Sequence, residues 1–221
     1  MNDAAVVIPA RDEAARIAET VAAARAIDGV ARVVVVDDGS RDGTAIAAAD
    51  AGATVVRHDR NRGKGAALQT GAAAVDGDLH LVFLDADLRD TAGTAGALLA
   101  PLRAGRADAA IATLPRVAGA GGHGFVVRLA RDGIRSATGW SPVQPLSGQR
   151  AVTRAAFDSV LPLAPGFGVE VGMTIDLLRN GFRVVEVEVP MAHRVTGTGW
   201  RDQVHRARQY LHVRRALRTR R

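Results

Sequence analysis

The chain has 221 residues, is 48% hydrophobic and carries a net charge of +6, enough apolar material for one sizeable core. It has no cysteine, which excludes a disulfide framework, a thiolate metal site and a cysteine nucleophile. No apolar run approaches the roughly 18 residues of a membrane span, and the N-terminal run is too short for a signal peptide, so a cytoplasmic location is expected.

In chain order, short β-rich runs alternate with Ala-rich helical ones. AVVIPA (5–10) reads as a strand and DEAARIAETVAAARA (12–26) as a helix with Ile17, Val21 and Ala24 inward. VVVVD (33–37) is an unbroken β-branched run, a strand buried on both faces. DGTAIAAADAG is a helix stopped by Gly52, TVVRH a strand, GKGAALQTGAAAV a helix and HLVFLD a strand. Beyond residue 90, TAGTAGALLAPLRAG reads as a helix, ADAAIATLP as a strand, and GAGGHG (119–124) as a loop opening the helix FVVRLARDGIRSATG. QPLSGQRAVT contains a turn and a strand, and RAAFDSVLP a short helix. GVEVGMTIDLLRNG is a helix with Met173, Leu177 and Leu178 as its buried side, and FRVVEVEVP is a half-buried strand. From Trp200 the tail is a basic helix. This rhythm predicts an α/β fold, a mostly parallel sheet with helices on both faces. One domain is expected, with the regular alternation over 4–90, a looser pattern over 91–199 and a closing helix at 200–221.

In such sheets ligands bind at the carboxyl ends of the strands, so the loops after each strand carry the function. Asp37 and Asp38 leave the second strand in DDGSRDGT. Gly39 allows a tight turn, and Ser40 can cap a helix, a pattern suited to a nucleotide clamp. In RNRGKG, Gly63 and Gly65 flank Lys64 and let the backbone approach a phosphate. Lys64 is the only lysine; the other 28 basic residues are arginine. Neither G-x-x-x-x-G-K-[ST] nor an early G-x-G-x-x-G is present, which argues against ATPase and NAD-dependent readings. The strand LVFLDADLRD ends on Asp85 and Asp87. Two carboxylates at i and i+2 of an extended segment point the same way, and they repel unless a cation sits between them. Hard oxygen ligands there suit Mg²⁺ or Mn²⁺ bound to a diphosphate.

Together, VVIPARDEAARI, VVVVDDGSRDGT, NRGKGAALQTG and FLDADL resemble the nucleotide-sugar half of glycosyltransferase family 2 proteins of the GT-A fold, which include polyprenyl-phosphate mannosyl- and glucosyltransferases. QPLSGQRA (144–151), GFGVEVGMTID (166–176) and AHR (192–194) are similar to short motifs of glucosyl-3-phosphoglycerate synthases. The resemblance implies hexose transfer from a UDP- or GDP-sugar with Mg²⁺ or Mn²⁺. It implies Asp85, Asp87 and His193 around the metal. Pro9, Ala10, Arg11, Glu13, Asp37, Asp38, Ser40, Lys64, Asp85 and Ala86 would line the nucleotide sugar. Residues 4–90 would thus be a nucleotide-sugar half and 91–199 an acceptor half, with Gly122, His123, Ser147, Gly148 and Glu170 lining the acceptor. Glu170, flanked by glycines in GFGVEVG, reads as a carboxylate open to a pocket, a general base in an inverting transfer or a group that positions the acceptor in a retaining one; Asp87 and Glu170 are the catalytic candidates. Arg89 stands where the polyprenyl-phosphate enzymes carry an amide ligand, which shifts weight to His193. Gly124 or Phe125 stands where the phosphoglycerate enzymes carry an acceptor-binding arginine.

The basic balance suits phosphorylated small molecules or an anionic membrane. One tyrosine and no zinc-finger or RNA-binding motif argue against nucleic acid. The tail WRDQVHRARQYLHVRRALRTRR holds eight arginines, with Val204, Tyr210, Leu211 and Leu217 as a narrow apolar side. It reads as a solvated face or as a membrane-surface helix serving a polyprenyl phosphate acceptor. The oligomeric state stays open, a homodimer included. Alternatives are a sugar nucleotidyltransferase, which would want a glycine- and lysine-rich loop after the first strand, or a non-catalytic nucleotide-sugar-binding module.

Overall fold

The computed structural model describes residues 3–114, 124–191 and 200–220, the last segment with side chains from residue 209 onward. Strands β1 (Ala4–Ala10), β2 (Val30–Asp37), β3 (Thr54–Arg57), β4 (His80–Phe83), β5 (Ala109–Thr113), β6 (Arg150–Val152) and β7 (Val184–Glu188) form one sheet in the order β3-β2-β1-β4-β6-β5-β7. β6 runs antiparallel between β4 and β5, and the other pairings are parallel. The expected fold class is the one observed.

The helices follow from which face of each strand they cover. Ala4, Val6 and Ile8 of β1 face one core layer with α1 (Ile17–Arg25), α2 (Thr44–Asp50) and α4 (Leu99–Arg103). Ala5 and Val7 face the other, with α3 (Lys64–Ala73), α6 (Arg154–Asp158) and α7 (Val169–Arg179). This is the period-2 alternation of a strand covered on both sides. A third cluster joins α5 (Gly124–Thr138), α7 and α8 (Trp200–Arg218) through Val126, Ala130, Ile134, Val171, Ile175 and Val213.

Several helical expectations change in detail. The first helix begins at Ile17 rather than residue 12, because 11–16 form a loop whose N–H groups bond to side chains of the loop after β2. The stretch 89–98 is a 3₁₀ helix, not an α-helix. The Thr91 and Thr94 hydroxyls donate to the carbonyls of Leu88 and Thr91, three residues back, and Gly96 approaches the Ile27 side chain. In α7 nearly every residue is buried, not one side, because α5 and α8 cover the face the sequence left to solvent. In α8, Tyr210 and Leu217 pack inward as expected, but Leu211 is exposed and Val213 and Ala216 are buried in its place. The side chain of Val204 lies outside the described residues.

The chain runs outward through β1, β2 and β3, then returns to the far side of β1 with β4. That reversal opens a crevice at the carboxyl ends of β1 and β4, the usual ligand position in an open α/β sheet. Helix α3, which begins at that crevice, lies close on the sheet because it has glycine at position 71. A Cβ there would sit 2.3 Å from Val7 Cγ1 and 3.0 Å from Val36 Cγ2. Gly71→Ala should therefore destabilise despite its better helix propensity, by about 1–3 kcal/mol. Urea unfolding at constant m-value checks this, and an unchanged or higher midpoint would contradict the packing.

Candidate functional site

The centre of the crevice is one ammonium group between two carboxylates. Lys64 opens α3, behind Gly63 with φ +89°. Its Nζ lies 2.7 Å from Asp85 Oδ1 and 2.9 Å from Glu170 Oε1. Asp85 follows β4, and Glu170 sits in the first turn of α7. The other Asp85 oxygen accepts from Gln149 Nε2 at 3.0 Å. Burial disfavours the charge on Lys64, but Asp85 and Glu170 outweigh it and hold its pKa above the ordinary lysine value. The close approach needs glycine at 148. A Cβ there would lie 2.4 Å from Nζ and 3.2 Å from both Asp85 oxygens.

The segment 147–150 supplies more than its glycine. Ser147 Oγ, Gln149 Oε1 and Arg150 Nη2 are buried without hydrogen-bond partners among the described residues. Arg150 donates from Nε to the Ser147 carbonyl and from Nη1 to Thr174 Oγ1, and Thr174 in turn donates to the Glu170 carbonyl. Burial lowers the Arg150 pKa to about 10, against the pull of Glu170 and Glu186. Glu186 accepts from the N–H groups of Val143 and Gln144. Arg150 thus links the 143–147 segment to the helix carrying Glu170. Gln149 and Arg150 are not among the residues the sequence singled out, although both lie in QPLSGQRA. A polar pair leading into a buried β-strand was the available signal.

Glu170 is buried rather than open to a pocket, and its loop is held from behind. The Phe167 N–H donates to His212 Nδ1 at 3.3 Å, and the two rings stack at 5.8 Å. Gly166, with φ +62°, and Gly168 let α8 pack directly on this turn. Arg220 closes the same contact, donating to both oxygens of Asp176 on α7.

The nucleotide-side candidates come together at the ends of β1 and β2. Pro9 is half-buried, and Ala10 and Ala86 are buried. Arg11 is exposed and 3.7 Å from Asp12. Glu13 pairs with Arg16, and its N–H donates to Thr44 Oγ1 at 2.8 Å. Ser40 Oγ accepts from the Asp12 N–H. Asp37 and Asp38 are buried and act on the protein itself. Asp37 Oδ1 accepts from the Ser40 N–H, and Arg57 Nε lies 3.3 Å from Oδ2. Asp38 accepts from the Arg62 and Gly63 N–H groups and contacts His58 Nδ1 at 2.7 Å. Burial alone would raise the Asp38 carboxyl, but these donors hold it below its usual range.

Asp87 is half-buried beside Asp85. Arg89 turns away, with φ +52° and its guanidinium 3.3 Å from Glu19. Among the described residues no three acidic or histidine side chains converge on one point. Gly122, His123 and His193 lie outside the described residues. The carboxylates present are hard oxygen donors of the kind Mg²⁺ and Mn²⁺ take, and so fit such a cation.

Residues 5–160 match the family model "Glycosyl transferase family 2". The glucosyl-3-phosphoglycerate synthase of Mycobacterium tuberculosis is 34% identical over 195 residues, covering 77% of this chain and 59% of that protein. The chain thus spans well under two thirds of that relative. Glycosyltransferase AglJ of Haloferax volcanii is 29% identical, over 87% of this chain and 64% of AglJ. A crystal structure of the M. tuberculosis synthase with Mn²⁺, UDP and phosphoglyceric acid superposes with a TM-score of 0.83. It is 30% identical and covers 99% of this chain and 78% of the other.

Because Lys64 is the only lysine, its side chain gives a single resonance in protein labelled with ¹³Cε-lysine. Its pKa is raised, so its contribution to stability is fully present below the ordinary lysine value of about 10.4 and is lost only as pH rises through the folded value. The resonance should not titrate up to pH about 11, whereas in Asp85→Asn it should move nearer the ordinary value. Titration near pH 10 in the unaltered protein would refute the paired geometry.

Proposed function

The chain belongs to glycosyl transferase family 2, and on that premise we propose that it moves a hexose from a nucleoside-diphosphate sugar to a small hydroxylated acceptor held beside Glu170. The observation that carries this reading is the Lys64 bridge. One cation spans Asp85 on the nucleotide half and Glu170 on the acceptor half. The relatives' structures, which hold UDP, Mn²⁺ or Mg²⁺ and phosphoglyceric acid, support a UDP-sugar and a soluble acceptor. Asp87, with Asp85 beside it and His193 as the expected third donor, would hold the divalent cation. When bound, that cation supplies positive charge to the leaving diphosphate.

The chain's own residues then divide the work. Lys64 adds charge toward the diphosphate, Asp85 orients Lys64, and Gln149 orients Asp85. Glu170 faces the acceptor hydroxyl as hydrogen-bond acceptor or general base. Ser147 and Gly148 form the wall between the halves. Phosphoglyceric acid itself is a poor candidate acceptor, because Gly124 or Phe125 replaces the anion-binding arginine expected there.

A lipid-phosphate acceptor is the second reading. Phe125 and Leu211 are exposed, Phe125 stacks on Tyr210 at 5.6 Å, and Arg214, Arg215 and Arg218 lie exposed on α8. Against it, much of the apolar side of α8 is already spent on α5 and α7. No described helix is long and apolar enough to cross a membrane. Co-sedimentation with anionic vesicles at low and high salt separates the readings. Binding that fades with salt supports the lipid acceptor, and no binding at low salt removes it.

Asp87→Ala should weaken UDP binding in the presence of Mn²⁺ by about tenfold or more in calorimetry, with little change when Mn²⁺ is absent. Equal Mn²⁺ dependence in both proteins would remove Asp87 from the metal site. Glu170→Gln should leave UDP affinity near that of the unaltered protein. It should lower UDP-glucose turnover by about 10²-fold or more.

A further inference from the structure

We propose that a cavity beside the open ends of β1, β2 and β3 is a second anion site, one that takes a phosphoryl group at the nucleoside end of the crevice, apart from Lys64. The cavity is about 680 Å³, and Arg11, Arg41, Arg57 and Arg60 are four of its nine lining residues. Arginine is 28 of 221 residues in the chain, so the wall is far richer in it than composition alone would make it. Asp59 is the only acid on the wall. Arg11 and Arg57 are shared with Asp12 and Asp37. Neither Arg41 nor Arg60 has an ion-pair partner among the described residues.

Four guanidinium groups around one concavity repel each other, and the loops bearing them are fixed in place. The Arg41 N–H donates to Asp12 Oδ1 at 2.8 Å. Arg57 Nη2 donates to the Ser40 carbonyl at 3.3 Å, and its Nε is held by buried Asp37. Asp38 pins the loop after β3 through the N–H groups of Arg62 and Gly63. Gly39, with φ +76°, lets the two loops touch. A Cβ there would lie 2.7 Å from the Arg60 carbonyl carbon and 2.8 Å from the Asn61 nitrogen. Two buried acids and a glycine thus hold a cationic wall in advance of any ligand, which lowers the ordering cost of binding. Guanidinium forks match phosphoryl oxygens, and a concave wall of one sign concentrates its field on an anion.

Arg11 and Ser40 belong both to this wall and to the proposed nucleotide site, so the inference deepens that reading. The phosphoryl group is either free or carried on the ribose of a nucleotide. The double variant Arg41→Gln/Arg60→Gln distinguishes these, since both side chains are exposed and unpaired; circular dichroism and melting confirm its fold. Calorimetry at low ionic strength uses three probes: pyrophosphate without metal, UDP with Mn²⁺, and UDP bearing a ribose 3′-phosphate with Mn²⁺. A loss of pyrophosphate affinity of about tenfold or more in the variant supports a free anion. A preference of about tenfold or more for the 3′-phosphorylated probe over UDP, absent from the variant, supports a nucleotide-borne phosphate. If neither probe separates the variant from the unaltered protein, the site does not exist. Failure of plain UDP to bind either protein would sink the nucleotide-sugar reading, while the pyrophosphate comparison would still decide the anion site.

Discussion

The site depends on the Lys64 ammonium holding two carboxylates together. Asp85 and Glu170 are 85 positions apart in sequence and belong to different halves of the domain. Without a cation between them they would repel across a partly dehydrated crevice. With Lys64 at 2.7 and 2.9 Å, the end of β4 and the start of α7 are joined at the point where chemistry is proposed. Much nearby structure serves that contact. Glycine at 148 leaves the space, Gln149 fixes the second oxygen of Asp85, and Gly63 turns the backbone that presents the lysine.

Support for Glu170 comes from two directions. From inside the sheet, Arg150 on β6 reaches Thr174 and through it the first turn of α7. From outside, His212 and Ala216 of α8 close on the Gly166–Gly168 turn. A helix whose composition suggested a solvated or membrane-facing surface is in large part a brace for the turn that leads into Glu170. Among its described side chains, Arg214, Arg215 and Arg218 face outward because Val213, Ala216 and Leu217 take the inner face.

The two adjacent acids at the end of β2 are both engaged within the protein. An Asp-Asp pair at a strand end reads as a ligand clamp. Here Asp38 receives two backbone N–H groups and His58, and Asp37 is fully buried. Both organise loops, and the groups left facing outward there are arginines.

The period-2 and helical patterns, together with turn glycines, were sufficient to place the parallel sheet, most helices and the loops bearing Lys64, Asp85 and Asp87. Those features depend on near neighbours in sequence, and local hydrophobic patterning encodes them directly. Other features required the assembled fold. That β6 runs antiparallel between β4 and β5 depends on which strands meet, not on β6 itself. That 89–98 is 3₁₀ depends on threonine hydroxyls competing for carbonyls against a closely packed α1. That α7 is buried all round depends on α8 folding back onto it. Lys64 was legible as a cation near phosphate, but its pairing with Glu170 was not, because the two meet only after α3 and α7 pack on the same face of the sheet. Residue type and spacing determined which groups reach the crevice; long-range packing decided which of them hold one another and which remain for a ligand.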